Sequence, residues 1–304
     1  ETKVREILEL MIKSTELEAE IETDELNYSN KVLEVSRNFQ GDYQDVYLTY
    51  RKEDDNLMAK LVSSNLAAKF RDLMSKTKVL IFMSGTIHNE NVLKKIFGIE
   101  DYKIVDAETI NQGSLEIIKT GKEFDCRHSN FTSKKYSRED YLNALLLCIN
   151  KTENPTLIHV NAFQDLPSED EKKKLELHGL ISSQRLKEVQ NEDKIGKSVA
   201  LFKSKLSNML FTTKCSRGVD FPGDICRSII FTKYPNPNVS DTFWKVLQKT
   251  HPDYFWEFYK DKAFREFLQR IYRAVRFVND HVYILSPDIR VLNEVRKLQL
   301  MMKK

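Results

Sequence analysis

The sequence is short of the features that would place it in several large classes. Seven prolines and nine glycines among 304 residues leave no flexible linker and no disordered or collagen-like tract. Four cysteines, Cys126, Cys148, Cys215 and Cys226, form no CxxC pair and have no histidine at metal-ligand spacing. That argues against a zinc or iron–sulfur site in this chain and for reduced thiols in an intracellular protein, cytoplasmic or, if eukaryotic, nuclear. The longest strongly apolar runs, at 79–83 and 144–148, are too short to span a bilayer, and no membrane partner is expected. Charge of one sign is missing too. The 48 basic and 45 acidic side chains leave a net charge of only +3, so any nucleic-acid contact must be local rather than the work of a global field. The first residues do not read as a secretory leader, so none is expected. It starts at Glu1 instead of Met, as a fragment would.

What is present is the composition of a globular protein, 41% hydrophobic and 31% charged, with a length that fits two domains better than one. Residues 3–22 carry apolar side chains at helical spacing, and 41–51 alternate as a strand does. The pattern predicts a helix over 56–75. The all-apolar KVLIFM run at 78–83 reads as a strand buried on both faces of a parallel sheet. Strands at 156–160, 209–213, 227–232 and 281–285 then alternate with helices at 90–97, 136–150 and 183–190, the signature of βαβ units. An aromatic-rich helical region follows the strand at 227–232, and its rings at 254–259 fit core packing better than stacking on unpaired bases.

Three constellations invite chemistry. Gly196, Lys197 and Ser198 imitate a phosphate-binding loop, but the pattern needs glycine at 191, where Asn191 stands, and a strand should precede it. No DEAD- or DEAH-like run is present either, so the chain alone is not expected to hydrolyse ATP. The second is the glycine- and proline-rich segment at 213–223, directly after an apolar strand, where α/β proteins place ligands. Ser216 and Arg217 suit phosphate contacts and Asp220 a sensing or ribose contact; an ordinary turn with an Arg217–Asp220 ion pair fits as well. The third is QRIYRAVR at 269–276. If helical at about 100° per residue, it gathers Gln269, Arg273 and Arg276 within roughly 60° of one another. Two guanidiniums on one face suit the charge that spreads over a departing γ-phosphoryl group; a surface helix pairing its arginines with acids is the plainer alternative.

Taken in order, these segments resemble the C-terminal part of the XPD and DinG helicases of superfamily 2, in an archaeal-type, XPD-like form. Ser84, Gly85 and Thr86 after KVLIFM resemble motif III, which couples the two motor domains. Residues 157–163 stand where motif IV is expected, with Ala162 in place of its usual serine, so that its contact would move to Asn161. Residues 216–221 resemble motif V, and 269–276 motif VI, with Tyr272 in the place of its glycine. The resemblance implies an α/β fold, a RecA-like parallel sheet flanked by helices, as helicase domain 2 over 88–304. Residues 1–87 would be the end of an arch-like helical insertion and the returning part of helicase domain 1. It implies a 5′–3′ DNA helicase of the DNA-repair type that hydrolyses ATP. Arg273 and Arg276, with Gln269, would act on the phosphate, Gly218 and Asp220 would sense the nucleotide, and Ser216, Arg217 and Asn161 would contact single-stranded DNA. ATP and Mg2+ would be bound mainly by the upstream domain, where any iron–sulfur cluster would also lie. Two alternatives accompany this reading: a non-catalytic module that binds single-stranded DNA or a repair partner, which Tyr272 crowding the phosphate would signal, and an unrelated nucleotide-binding α/β transferase.

Overall fold

The computed structural model describes residues 45–53, 56–84, 86–105, 113–193, 196–214 and 218–302, with the single positions 6, 10 and 13. The helix expected over 3–22 otherwise lies outside the described residues. In chain order the elements are β1 (Val46–Glu53), β2 (Asn56–Ser63), α1 (Leu66–Ser75), α2 (Glu90–Lys95), β3 (Ser114–Ile117), α3 (His128–Thr132), α4 (Arg138–Lys151), β4 (Thr156–His159), α5 (Glu169–Lys174) and α6 (Ser183–Glu192). They continue with α7 (Lys197–Lys203), β5 (Met209–Thr212), β6 (Ser228–Phe231), α8 (Thr242–Thr250), α9 (Pro252–Ile271), β7 (His281–Leu285) and α10 (Ile289–Met302).

The chain divides into two compact units, one comprising residues 1–83, 88–102 and 237–259, the other 84–87, 103–236 and 260–304. The first holds an antiparallel hairpin, β1 against β2, with Val46 opposite Ser63 and Glu53 opposite Asn56. The expected helix over 56–75 is therefore a strand followed by a helix. Its first half, NLMAKLVS, is rich in helix formers, and cross-strand pairing overrides that weak local preference. Asn65 separates the halves: its side chain accepts from Ala68 N at 2.8 Å and caps α1. An aromatic cluster of Trp244, Phe255 and Phe258 with Val92, Ile96 and Leu247 forms this unit's core. The rings at 254–259 serve packing, as expected, although Trp256 stays 54% exposed.

A second expectation fails in this unit. Residues 78–83 form no strand, and Val79 and Met83 are 75% and 92% exposed. The run has the composition of a buried strand, but no neighbouring strand among the described residues takes up its backbone groups.

The second unit is built on a five-stranded sheet in the order β3-β7-β6-β4-β5, every pairing parallel. Strands β4 and β6 are buried on both faces throughout, and β7 at its carboxyl end, which is why TLIH and SIIF and the end of HVYIL carry apolar runs. Leu157, Ile229 and Ile284 face one apolar cluster with Phe202 of α7, Phe267 of α9 and Val291 of α10. Ile158, Ile230 and Leu285 face the other with Tyr141, Leu142 and Leu145 of α4 and Leu186 of α6. Each such fully buried Ile or Leu contributes roughly 1.5–3 kcal/mol of transfer free energy. The α4 helix starts at a reciprocal capping box, in which Asp140 N donates to Ser137 Oγ at 3.0 Å and Ser137 N to the Asp140 carboxylate at 2.8 Å.

Candidate functional site

The QRIYRAVR segment is helical only through Ile271, where α9 ends. Tyr272 N still donates to Leu268 O and Ala274 N to Ile271 O, closing the last turns, but Arg273 and Arg276 lie beyond the helix. The wheel argument for their shared face therefore does not apply. They converge all the same, because both reach one carboxylate oxygen: Arg273 Nη1 donates to Asp220 Oδ1 at 2.9 Å and Arg276 Nη2 to the same atom at 2.6 Å. Asp220 belongs to the loop after β5, so motifs far apart in sequence meet at one oxygen. Burial pulls the Asp220 carboxyl upward, but the hydrogen bonds and charge of Arg276 and Arg273 outweigh it and hold it below its usual range. The Arg217–Asp220 pair considered from sequence involves a residue outside those described, as do Ser216 and Gly85.

Gln269, on the last turn of α9, points elsewhere. Its Nε2 donates to Thr86 Oγ1 at 3.1 Å, and Thr86 is buried. The Ser84 hydroxyl donates to Thr86 O at 2.8 Å and accepts from Thr86 N, so the SGT segment is folded around the threonine that Gln269 touches. Gly218 has φ of +76° with open space where a β-carbon would stand; a side chain there would meet strain from the backbone alone.

Tyr272, next to Arg273 in the chain, is partly buried. It packs against the apolar cluster that includes Ile271 and Val275, and burial raises its hydroxyl above the ordinary tyrosine value.

Asn161 joins a separate network at the carboxyl ends of β4 and β6. Its backbone N donates to Thr232 Oγ1 at 3.0 Å, and Thr232 Oγ1 donates to Asp165 Oδ2 at 3.1 Å. The buried Asp165 is neutralised by Lys233 Nζ at 2.7 Å, whose ammonium lies over the rings of Phe131 and Tyr141. Asp288 and Arg290 likewise pair at 2.7 Å, with Tyr234 N as a further donor to Asp288.

Three features were not anticipated. Arg270, between the residues singled out, is buried, with Nε on Glu266 at 3.1 Å. Near it, His159 is pushed well below the ordinary imidazole value by burial and then by the Arg270 charge, against a hydrogen bond with the Arg270 backbone. The third is Asp280, buried ahead of β7 and bonded to both loops of the site. The only hint in sequence is an acid placed just before an apolar strand.

The imitation of a phosphate-binding loop has its own structural reason to be inert. Gly196 takes φ of +78° and precedes α7, but the amides a phosphate would need are taken by Asp193: Lys197 N at 2.5 Å and Ser198 N at 2.8 Å. Among the described residues no group of three or more His, Cys, Asp or Glu side chains is placed to hold a metal ion. No described helix is long and apolar enough to cross a membrane.

Comparison with known proteins agrees on the architecture. Residues 145–303 match a family described as the helicase C-terminal domain. No curated protein matches the sequence. Among solved structures, one titled XPD_Helicase is similar with a TM-score of 0.57 and 16% identity, over 90% of this chain and 49% of that one. Another, titled XPD_APO, gives 0.58 and 16%, over 90% and 55%. The chain spans about half the length of these structures, and at such identity the likeness is one of fold: a RecA-like parallel sheet flanked by helices.

Proposed function

This chain belongs to the helicase C-terminal domain family, and from that premise we propose that it is the second motor half of an ATP-dependent DNA helicase. Its arginines act on an ATP bound by a first motor domain. The observation that carries the reading is the convergence of Arg273 and Arg276 on a single oxygen of Asp220. Both guanidiniums reach the same carboxylate oxygen and stay partly exposed, at 16% and 38%. A γ-phosphate brought to that spot gains two planar forks as its charge spreads over three oxygens during transfer.

Asp220 holds the pair together until the nucleotide arrives. Gln269, through Thr86, reports the state of this loop to the SGT segment, while Ser216, Arg217 and Asn161 grip single-stranded DNA and movement runs from 5′ to 3′. The phosphate-binding loop and the carboxylates for Mg2+ are supplied by the first domain: in this chain the only glycine-lysine-serine amides are already satisfied by Asp193. Residues 1–87 are the end of an arch-like insertion and the return of that first domain, and the exposed run at 78–83 becomes a strand only when it joins that domain's sheet.

A non-catalytic module that binds single-stranded DNA or a repair partner is the alternative, and Tyr272 packed against the apolar cluster favours the motor over it. The test is Arg273→Ala in the full-length protein. Hydrolysis of ATP stimulated by single-stranded DNA falls about 10³-fold or more if this arginine is a finger; an unchanged rate removes the assignment.

A further inference from the structure

We propose that Asp280 is the positioning residue that aligns Arg273 and Arg276 with the loop after β5. The inference rests on the arginine-finger reading and goes beyond it. With α9 ending at Ile271, helical hydrogen bonding cannot fix the backbone of the arginine segment, and a guanidinium on a loose loop would not stay aimed.

The carboxylate of Asp280 supplies what the helix does not. Its Oδ2 accepts from Arg276 N at 2.6 Å and Phe277 N at 2.7 Å, and its Oδ1 accepts from Gly223 N at 2.8 Å. One side chain therefore clamps the arginine segment with one oxygen and the Asp220 loop with the other. A direct backbone bond, Phe221 N to Arg273 O at 2.7 Å, runs parallel to it.

The clamp is anchored in turn. Asp280 O accepts from Ser114 N at 2.7 Å, and a β-carbon on Gly113 would lie only 2.0 Å from that same oxygen. Only glycine permits the approach. Asp280 is buried and its three donors are all backbone amides, so it has no part in binding nucleotide itself.

A carboxylate is acceptor-only at both oxygens, whereas an asparagine of the same shape presents one oxygen and one NH2 group. Asp280→Asn must turn N–H toward N–H on one side or the other. In the full-length protein we expect this variant to lower kcat for DNA-stimulated ATP hydrolysis by about 10- to 100-fold with little change in KM, as befits an interaction expressed in the transition state. Amide hydrogen exchange should quicken at Gly223, Arg276 and Phe277 while β6 and β7 keep their protection.

Arg273→Ala and Arg276→Ala are measured beside it. If they lose turnover and Asp280→Asn does not, the positioning role is wrong and the finger reading stands. If they keep turnover, the finger reading fails and Asp280 has no reaction to serve. Should Asp280→Asn also lose protection across β6 and β7, Phe277→Pro takes its place. It deletes one of the three donors at an exposed residue, and the same two outcomes decide.

Discussion

Arg276 and Asp220, 56 positions apart in sequence, share a 2.6 Å hydrogen bond, and Arg273 joins them on the same oxygen at 2.9 Å. The acceptor is half-exposed, with 47% of its side chain open to solvent. A pair in that setting adds little to folding stability, so the arrangement is better explained by what the arginines do than by what they hold together.

That separation is measurable. Asp220→Ala should change unfolding free energy by less than about 1 kcal/mol, since water screens the pairs. In the full-length protein it should lower ATP turnover about tenfold or more, because the forks lose the anion that pre-aligns them. A large loss of stability in urea titration with turnover intact would reverse the argument.

Gln269 and Thr86 should act as one unit. Thr86→Val removes the hydroxyl at nearly constant volume, and Gln269→Ala removes the donor. If the 3.1 Å bond between them carries the coupling, the double variant should be no slower in DNA-stimulated hydrolysis than the worse single one. Additive losses would mean that the two side chains serve separate purposes.

His159 gives a pH dependence with a definite sign. Its native value is depressed, so below about pH 6.5 the unfolded chain binds a proton that the folded chain refuses. Stability should thus be fully present above that point and fall as pH drops toward the depressed native value, by up to about 1.4 kcal/mol per unit. Urea midpoints at pH 7.5 and 5.5 should differ more in the natural chain than in His159→Leu. Equal differences would show that the ring is not held neutral.

Cys126, Cys148 and Cys226 are buried and free. Burial raises all three thiols, Cys226 to about 12. None forms the thiolate that alkylating reagents need at neutral pH. Mass spectrometry after brief iodoacetamide treatment should find these three unmodified in the native chain and modified in urea; native labelling of any of them would contradict its placement in the core.

The sheet was legible in the sequence wherever a strand is buried on both faces, because TLIH, SIIF and the end of HVYIL are too apolar to face solvent. β3 was not. Its SLEI has only two apolar residues, and its edge position leaves Ser114 and Glu116 outward. The hairpin was hidden by helix-forming residues at 56–63, whose pairing with β1 is a tertiary effect. Motif order singled out Arg273, Arg276 and Asp220, but a shared helical face was expected for the two arginines, and a turn beyond the helix end was found. Asp280 carried little local signal beyond an acid ahead of an apolar strand, since its partners are amides 57, four and three positions away and backbone geometry leaves no trace in side-chain pattern.

The run at 78–83 has a consequence for handling the molecule. VLIFM is β-prone, uncharged, free of proline and open to solvent, the makings of a self-templating segment. A chain prepared without whatever strand normally covers it should gather into oligomers through this segment as concentration rises. Placing a lysine at Ile81 or Met83 should keep such a preparation dispersed without disturbing the five-stranded sheet.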